Sequence, residues 1–357
     1  MSEKEITRRE FVAGVAAGAA LAGVSGAAEK KVDTSKILNH NPRMGYRRLG
    51  KTGEMISEVG LGGHWKTRTG GRYWASFPND NPPPDVQMNR NQVWSKAAEL
   101  GVNYYDITTA GEAAIYGRCA KQTGIKLHIG YSDHILCIRN PKNRTVEKMM
   151  VEIDEGLGRL MVDRMFLWRP QALMGGGHTK AELDGVLETY HKAHKAGKVQ
   201  YLGMSAHSHD FVRQVVEQYG EHYHAFVFMY NVSNEPKQSA SMFETLRKKD
   251  VGAIGLKPFH GNFYFVKAIK EARKQGTEPD LNALAVNGLK KILAVPEMTC
   301  TIPGMTTVDE VENNVKASYD RKNKLTRAEL EAVETLAKAS LEDLPPYYDF
   351  IRKQIHV

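Results

Sequence analysis

GVNYYDITTAGEAAIYG (101–117) runs from an apolar strand, Val102 to Tyr105, into Asp106, and then into a helical pattern that continues through EAAIYGRCAKQ (112–122) towards Gly124. A strand that ends in a carboxylate and turns at once into a helix is one β-loop-α unit. It raises two questions. One is how many such units the chain holds. The other is what Asp106 is for, because a buried carboxylate at a strand end is costly unless it is paired or at work.

The same pattern recurs along the chain. Short apolar runs stand at SEVGLGG (57–63), VNYYD (102–106), KLHIGYS (126–132), RMFLW (164–168), VQYLGMS (199–205), HAFVFMY (224–230), VGAIGLKP (251–258) and TCTIPG (299–304). Most are continuous rather than alternating, as strands of a parallel sheet covered on both faces are. Amphipathic segments lie between them. TVEKMMVEIDEGLGRL (145–160) puts Met149, Ile153, Leu157 and Leu160 on one face. TKAELDGVLETYHKAHKAG (179–197) opens with Thr179 as N-cap, meets Glu182 three residues on, and closes at Gly197.

Eight strands alternating with helices predict an α/β fold, a closed (β/α)8 TIM barrel. An open doubly wound sheet is the alternative, but it would show a G-x-G-x-x-G turn after its first strand. GLGGHW (60–65) carries its glycines in the strand and no such turn follows. YRRLGKTGEMISEV (46–59) reads as an N-terminal β-hairpin turning at Lys51-Thr52-Gly53 and plugging the barrel floor. The segment from Lys66 to Arg90 is a long loop after strand one, with Trp74, Phe77 and Pro82 to Pro84 as material for a lid. The expected organisation is a signal peptide over 1–28, a linker over 29–44, the barrel over 45–340 and a C-terminal tail over 341–357.

Composition excludes several functions. Lys plus Arg total 49 against 41 Asp plus Glu, a net charge of +8, but the basic residues are scattered. No stripe of cations interleaved with aromatics appears, so nucleic acid is not an expected partner. Cys119, Cys137 and Cys300 lie far apart without a CxxC pair, which argues against a metal-sulfur cluster or a disulfide framework. TRREFV (7–12) sets Arg8-Arg9 before an Ala/Gly-rich run that ends with Ser25 and Ala27 spaced for cleavage. This resembles a twin-arginine export signal and predicts a periplasmic or extracytoplasmic protein that meets the twin-arginine machinery. The run is too short and too weakly apolar to predict a stable membrane span after cleavage.

YRRLGKTGEMISEVGLGG (46–63), GVNYYD (101–106), GKVQYLGMSAHS (197–208) and IPGMTTVDEVENNVKA (302–317) together resemble the aldo-keto reductase family, in order and over nearly all of 46–340. VGAIGLKPFHG and the histidine of GMSAHS are most similar to a branch with ferredoxin-like tails, whose cysteines this chain lacks; no iron–sulfur cluster is expected. The resemblance implies an oxidoreductase acting on a polar small molecule, a sugar-like carbonyl or alcohol, with NAD or NADP as cofactor. In the family an aspartate, a tyrosine, a lysine and a histidine surround the nicotinamide, and the tyrosine gives its proton to the carbonyl oxygen. Asp106 matches the aspartate. Gly111 stands where the tyrosine belongs, Tyr131 and Ser132 where the lysine belongs, and Arg169 where the histidine belongs. The resemblance places the cofactor against Ser205, Lys257, the turn of Gly304, Thr306 and Thr307, and Asp309, Glu312 and Asn313. Asp309 replaces an arginine of the family, and an aspartate there repels a 2′-phosphate.

In a barrel the strand ends converge on one mouth. That mouth would gather His64, Asp106, Tyr131, His134, Arg169, His207, His209, Asn231, Lys257 and His260. One reading pairs Asp106 with the bidentate fork of Arg169 and lets Tyr131 or His207 move the proton. Such a set suits a hydroxylated or anionic small molecule. A metal site from His64, His134, His207 and Asp106 is a second reading that no ligand spacing supports. A non-redox enzyme or a non-catalytic ligand-binding protein on the same barrel remain alternatives. The plainer readings are that Asp106 only holds Arg169 or a backbone amide, and that His207 and His209 flank a helix start capped by Ser208.

Overall fold

The structure, a computed structural model, describes residues 33–63, 65 and 81–355, with only the backbone of 353–355. The export signal, His64, Trp74 and Phe77 lie outside the described residues. Met1–Lys36 count as a separate unit, of which a 3-10 turn at Thr34–Lys36 is described. Ile37–Val357 form the other unit.

Seven parallel strands make one sheet in sequence order: β3 (Tyr104–Ile107), β4 (His128–Tyr131), β5 (Met165–Trp168), β6 (Val199–Ala206), β7 (Ala225–Met229), β8 (Gly252–Leu256) and β9 (Met298–Ile302). The predicted first barrel strand is not a regular ladder. Its residues bridge both edges instead, Val59 to Thr301 and Gly62 to Gly304 on one side and Leu61 to Tyr105 on the other. Hydrogen bonds from Gly60 N to Thr301 O (2.9 Å) and from Leu61 N to Tyr104 O (3.0 Å) close the ring as a (β/α)8 barrel. Glycine is needed at the seam. A Cβ on Gly62 would stand 2.4 Å from the carbonyl oxygen of Ile302.

The hairpin forms as expected, with β1 (Tyr46–Arg48) antiparallel to β2 (Met55–Ser57). Its turn needs Gly50 and Gly53, at φ 48° and 75°. Leu49 and Ile56 pack with Tyr104, Phe166, Val227, Ile254 and Cys300 inside the barrel, so the hairpin plugs the floor. The three cysteines are free and buried.

Helices fill the outside. The first, α1 (Pro84–Glu99), starts well before the apolar pattern at Gln92, so the long loop ends earlier than expected. Pro84 suits a first turn, where its missing N–H costs nothing and its φ is preset. α2 (Ala110–Thr123) is capped by Thr109, α3 (Val146–Leu160) by Thr145, and α4 (Lys180–Lys195) by Thr179 in a capping box with Glu182. Then come α5 (His209–Tyr219), α6 (Ala240–Lys248), α7 (Phe263–Lys274), α8 (Leu281–Leu293), α9 (Val308–Asn314), α10 (Lys316–Tyr319) and α11 (Arg327–Glu342).

Beyond α11 the chain turns back rather than trailing away. Pro346–Tyr348 form a 3-10 turn and Asp349–Ile355 the helix α12. Leu344, Tyr348 and Ile351 pack with Met229 and Leu256, residues at the strand ends of β7 and β8. The C-terminal segment therefore covers part of the barrel mouth. No helix among the described residues is long and apolar enough to cross a membrane.

Candidate active site

Side chains alternate along a strand, and this decides what reaches the mouth. On β3, Tyr104 and Asp106 point into the barrel, while Tyr105 and Ile107 join the layer under the helices. Asp106 pairs in register with Gly130 of β4. A Cβ on Gly130 would stand 2.0 Å from the Tyr104 hydroxyl and 3.1 Å from Asp106 Oδ1, so glycine leaves the room the carboxylate occupies. Arg169, just past β5, fills the space opposite. Its Nε donates to Asp106 Oδ1 (2.7 Å), and its Nη2 donates to Asp106 Oδ2 (2.5 Å) and to the carbonyl of Ile107 (2.7 Å). Tyr104 Oη donates to Asp106 Oδ1 (3.1 Å). The expected pair thus exists, bidentate and buried. Burial pushes the Asp106 carboxyl up to about 6, against the pull of the Arg169 charge and its hydrogen bonds.

A cavity of about 460 Å³ opens at Asp106. Its floor includes Asp106, Gln171, Ser205 and His207, its sides His134, Arg139 and Lys257, and its roof Tyr348 and Phe350 from the C-terminal segment. His207 stacks face to face on Phe350, with ring centroids 4.8 Å apart and planes within 8°. Burial, reinforced by the charges of Lys257 and Arg139, drives the His207 pKa well down, so its imidazole is uncharged at neutral pH. Two buried polar atoms here have no protein partner, His207 Nδ1 and Gln171 Nε2, and behind Asp106 the Nη1 of Arg169 has none either. Buried polar groups are nearly always satisfied, so such a cluster at one cavity marks a place for a polar ligand.

Tyr131 does not belong to this set. It follows the inward Gly130, so its side chain turns outward beneath α3, where a Cβ on Gly156 would stand 2.3 Å from its ring. Its hydroxyl is buried away from the cavity, and the expectation that it moves a proton there is corrected on that geometry. His209 also faces elsewhere, with Nε2 2.7 Å from the carbonyl oxygen of Met229, while Ser208 caps α5 as predicted. His260 is buried under its loop, hydrogen-bonded through Nδ1 to Ser340 Oγ (2.8 Å) and through Nε2 to Ser233 Oγ (2.9 Å). Asn231 is buried beside it. Among the described residues no group of three or more potential ligands comes together for a metal ion.

The residues implied for a cofactor divide into two sets. Ser205, Lys257 and Gly304 line the cavity. The others do not line it. Thr307 caps α9, and Thr306 N donates to Glu310 Oε2 (2.6 Å). Asp309 is exposed on the first turn of α9, Glu312 Oε1 lies 3.4 Å from Lys96 Nζ, and Asn313 Nδ2 donates to Asn282 O (3.0 Å).

Three functional positions escaped the sequence reading. Gln171 lies two residues past Arg169 with no periodic signal to mark it. Phe350 belongs to a segment read as a tail. Glu152, fully buried, accepts from Ser132 Oγ (3.1 Å), Asp133 N (2.8 Å) and Trp168 Nε1 (3.4 Å), holding the start of the loop that carries His134 and Arg139. Here a signal existed. Glu152 sits three residues from Met149 on the apolar side of α3, where a glutamate is out of place.

A family model described as the aldo/keto reductase family matches residues 87–338. Among solved structures, the aldo-keto reductase AKR11C1 from Bacillus halodurans is similar in its holo form (TM-score 0.59, 18% identity) over 83% of this chain and 97% of that one. Its apo form is similar over the same shares, with a TM-score of 0.57 at 18% identity. The thermostable aldo-keto reductase Tm1743 in complex with the inhibitor epalrestat reaches 0.57 at 18% identity, over 82% of this chain and 99% of that one. Likeness at such identity bears on the fold alone. A search of curated proteins finds no match. The family model covers well over half of the sequence, and on that ground this chain belongs to the aldo/keto reductase family.

Proposed function

We propose that the chain is an exported oxidoreductase acting on a polar, sugar-like carbonyl or alcohol, with His207 and Arg169 serving where the family uses tyrosine, lysine and histidine. The observation that carries this reading is the pair of unpartnered buried atoms, His207 Nδ1 and Gln171 Nε2, that line one cavity together with Asp106.

The residues fit a nicotinamide nucleotide at its nicotinamide and diphosphate end. Ser205 and Gln171 offer polar side chains at the floor, and Gly304 lets the backbone approach closely. Lys257, at φ 58°, brings a cation to the other side. At the adenosine end Asp309 and Glu310 make the first turn of α9 acidic, which favours NAD over NADP. When bound, a nicotinamide supplies or accepts the hydride.

The chain's own residues handle the proton and the geometry. The uncharged His207 hydrogen-bonds the reacting oxygen and, as a neutral imidazole can, accepts the hydroxyl proton that an alcohol substrate releases as its hydride departs. Asp106 fixes the plane of Arg169 and offsets its charge, leaving Nη1 as a donor of set direction. Phe350 lies over His207 and keeps water from it.

Turnover of aldoses and alditols with NAD(H) or NADP(H), followed by nicotinamide absorbance, tests the reading. His207→Ala is expected to lower kcat/KM about 100-fold, the scale of a lost proton-transfer group, with the thermal unfolding midpoint little changed. Full activity in that variant would remove His207 from the mechanism; no turnover of any such compound would remove the reading itself.

Export is part of the proposal and rests on Arg8-Arg9 and the run behind them. Replacing both arginines by lysine is expected to abolish export, read by cell fractionation. Undiminished export of the double variant would sink it.

A further inference from the structure

Resting on the reading of the mouth as a substrate pocket, we propose that the substrate carries a carboxylate, a sugar acid of the hexuronate kind, and that Arg139 holds this carboxylate. Among the described lining residues the one carboxylate is Asp106, and both of its oxygens are taken by Arg169. Two cations line the same cavity, Arg139 and Lys257. The cavity is therefore electropositive, and an anion entering it gains from that field.

Arg139 has no counter-ion among the described residues. It sits at the end of the loop that Glu152 holds through Ser132 and Asp133. Its Nε donates to the carbonyl of Ala172 (3.1 Å), which orients the guanidinium. Among the described residues no carboxylate lies within ion-pair distance of it, and the Arg169 charge repels it. Burial and that repulsion lower its pKa, yet a guanidinium stays charged in any case. A half-buried guanidinium with a planar fork and no carboxylate partner among the described residues is matched by a carboxylate, which accepts two parallel hydrogen bonds. A phosphate suits such a fork as well, and titration with a sugar phosphate tells the two apart.

The rest of the cavity describes the body of the ligand. Gln171 Nε2 and His207 Nδ1 are unpartnered and suit hydroxyl groups. Tyr348, Phe350 and Phe259 present aromatic surface, against which the apolar face of a pyranose ring packs. A ring with hydroxyls on its edge, one apolar face and a carboxylate at one end answers all three walls.

Isothermal titration of the full chain with D-galacturonate and with D-galactose, each with and without NADH, separates the possibilities, because the two sugars differ at the carboxylate alone. The acid is expected to bind at least about tenfold more tightly, and Arg139→Gln to remove that margin while changing galactose affinity less than about twofold. Arg139→Lys, which keeps the charge and loses the fork, should retain part of it. Equal affinities for the two sugars overturn the carboxylate inference and leave the oxidoreductase reading to its turnover assay. A margin that survives Arg139→Gln overturns the assignment to Arg139. Tighter binding of D-galactose 6-phosphate than of galacturonate overturns the carboxylate in favour of phosphate, and no binding of any of the three overturns the substrate class.

Discussion

Arg169→Met is expected to destabilise the protein by about 3–5 kcal/mol, the cost of removing one partner of a buried ion pair. The reason lies in what remains. Asp106 is 3% exposed, and without Arg169 only the Tyr104 hydroxyl is left to hydrogen-bond its oxygens. Burial alone already raises its pKa, and the Arg169 charge is the chief influence opposing that rise. In the variant the carboxyl would take up a proton or draw in water. Asp106→Asn should be costly for the complementary reason, a guanidinium at 0% exposure left without a counter-charge. The double variant Asp106→Asn/Arg169→Met should recover a large part of the loss, because neither charge is then stranded. Urea unfolding of the three variants and wild type makes a double-mutant cycle whose coupling term is the pair. A single variant within about 1 kcal/mol of wild type would sink the pair as a structural element.

The second large effect concerns Glu152 and has a pH signature. Glu152→Ala strands Ser132 Oγ, Asp133 N and Trp168 Nε1, all directed at the lost carboxylate. The expected cost is about 2–4 kcal/mol. Burial pushes the Glu152 carboxyl from 4.5 up to about 7, against the opposing hydrogen bonds. The sign follows. Between about 4.5 and 7 the folded chain holds a proton that the unfolded chain has released, so stability falls as pH rises through that window and levels off above it. Asp106, raised from 3.8 to about 6, adds a slope of the same sign at the lower end. Glu152→Gln removes the titrating group and should flatten the upper part of the profile and leave only the Asp106 slope in the lower part. A variant whose stability keeps the wild-type slope between pH 6 and 7 would show that Glu152 does not titrate there.

Both effects connect to the cavity. Arg169 holds Asp106, which lines it, and Glu152 sets the loop that brings Arg139 and His134 to its side. Loosening either is expected to reach ligand affinity as well as stability, since a site is as well placed as the groups behind it.

The residues themselves show how far local reading goes. The order of strands and helices, the plugging hairpin, Asp106 at a strand end, and the lack of the family's tyrosine, lysine and histidine all follow from patterns a few residues long. Such patterns are local because alternation on a strand and the 3.6-residue turn of a helix are local. Tyr131 shows the limit. Whether it faces the cavity or α3 depends on the register of β4 against β3, which puts Gly130, not Tyr131, beside Asp106.

Ring closure at Gly62, the fold-back that lays Phe350 on His207, and the meeting of Gln171, Arg139 and Lys257 were decided by tertiary structure alone. Each joins segments far apart along the chain. Such contacts depend on how whole layers pack, and no short window of sequence encodes that packing.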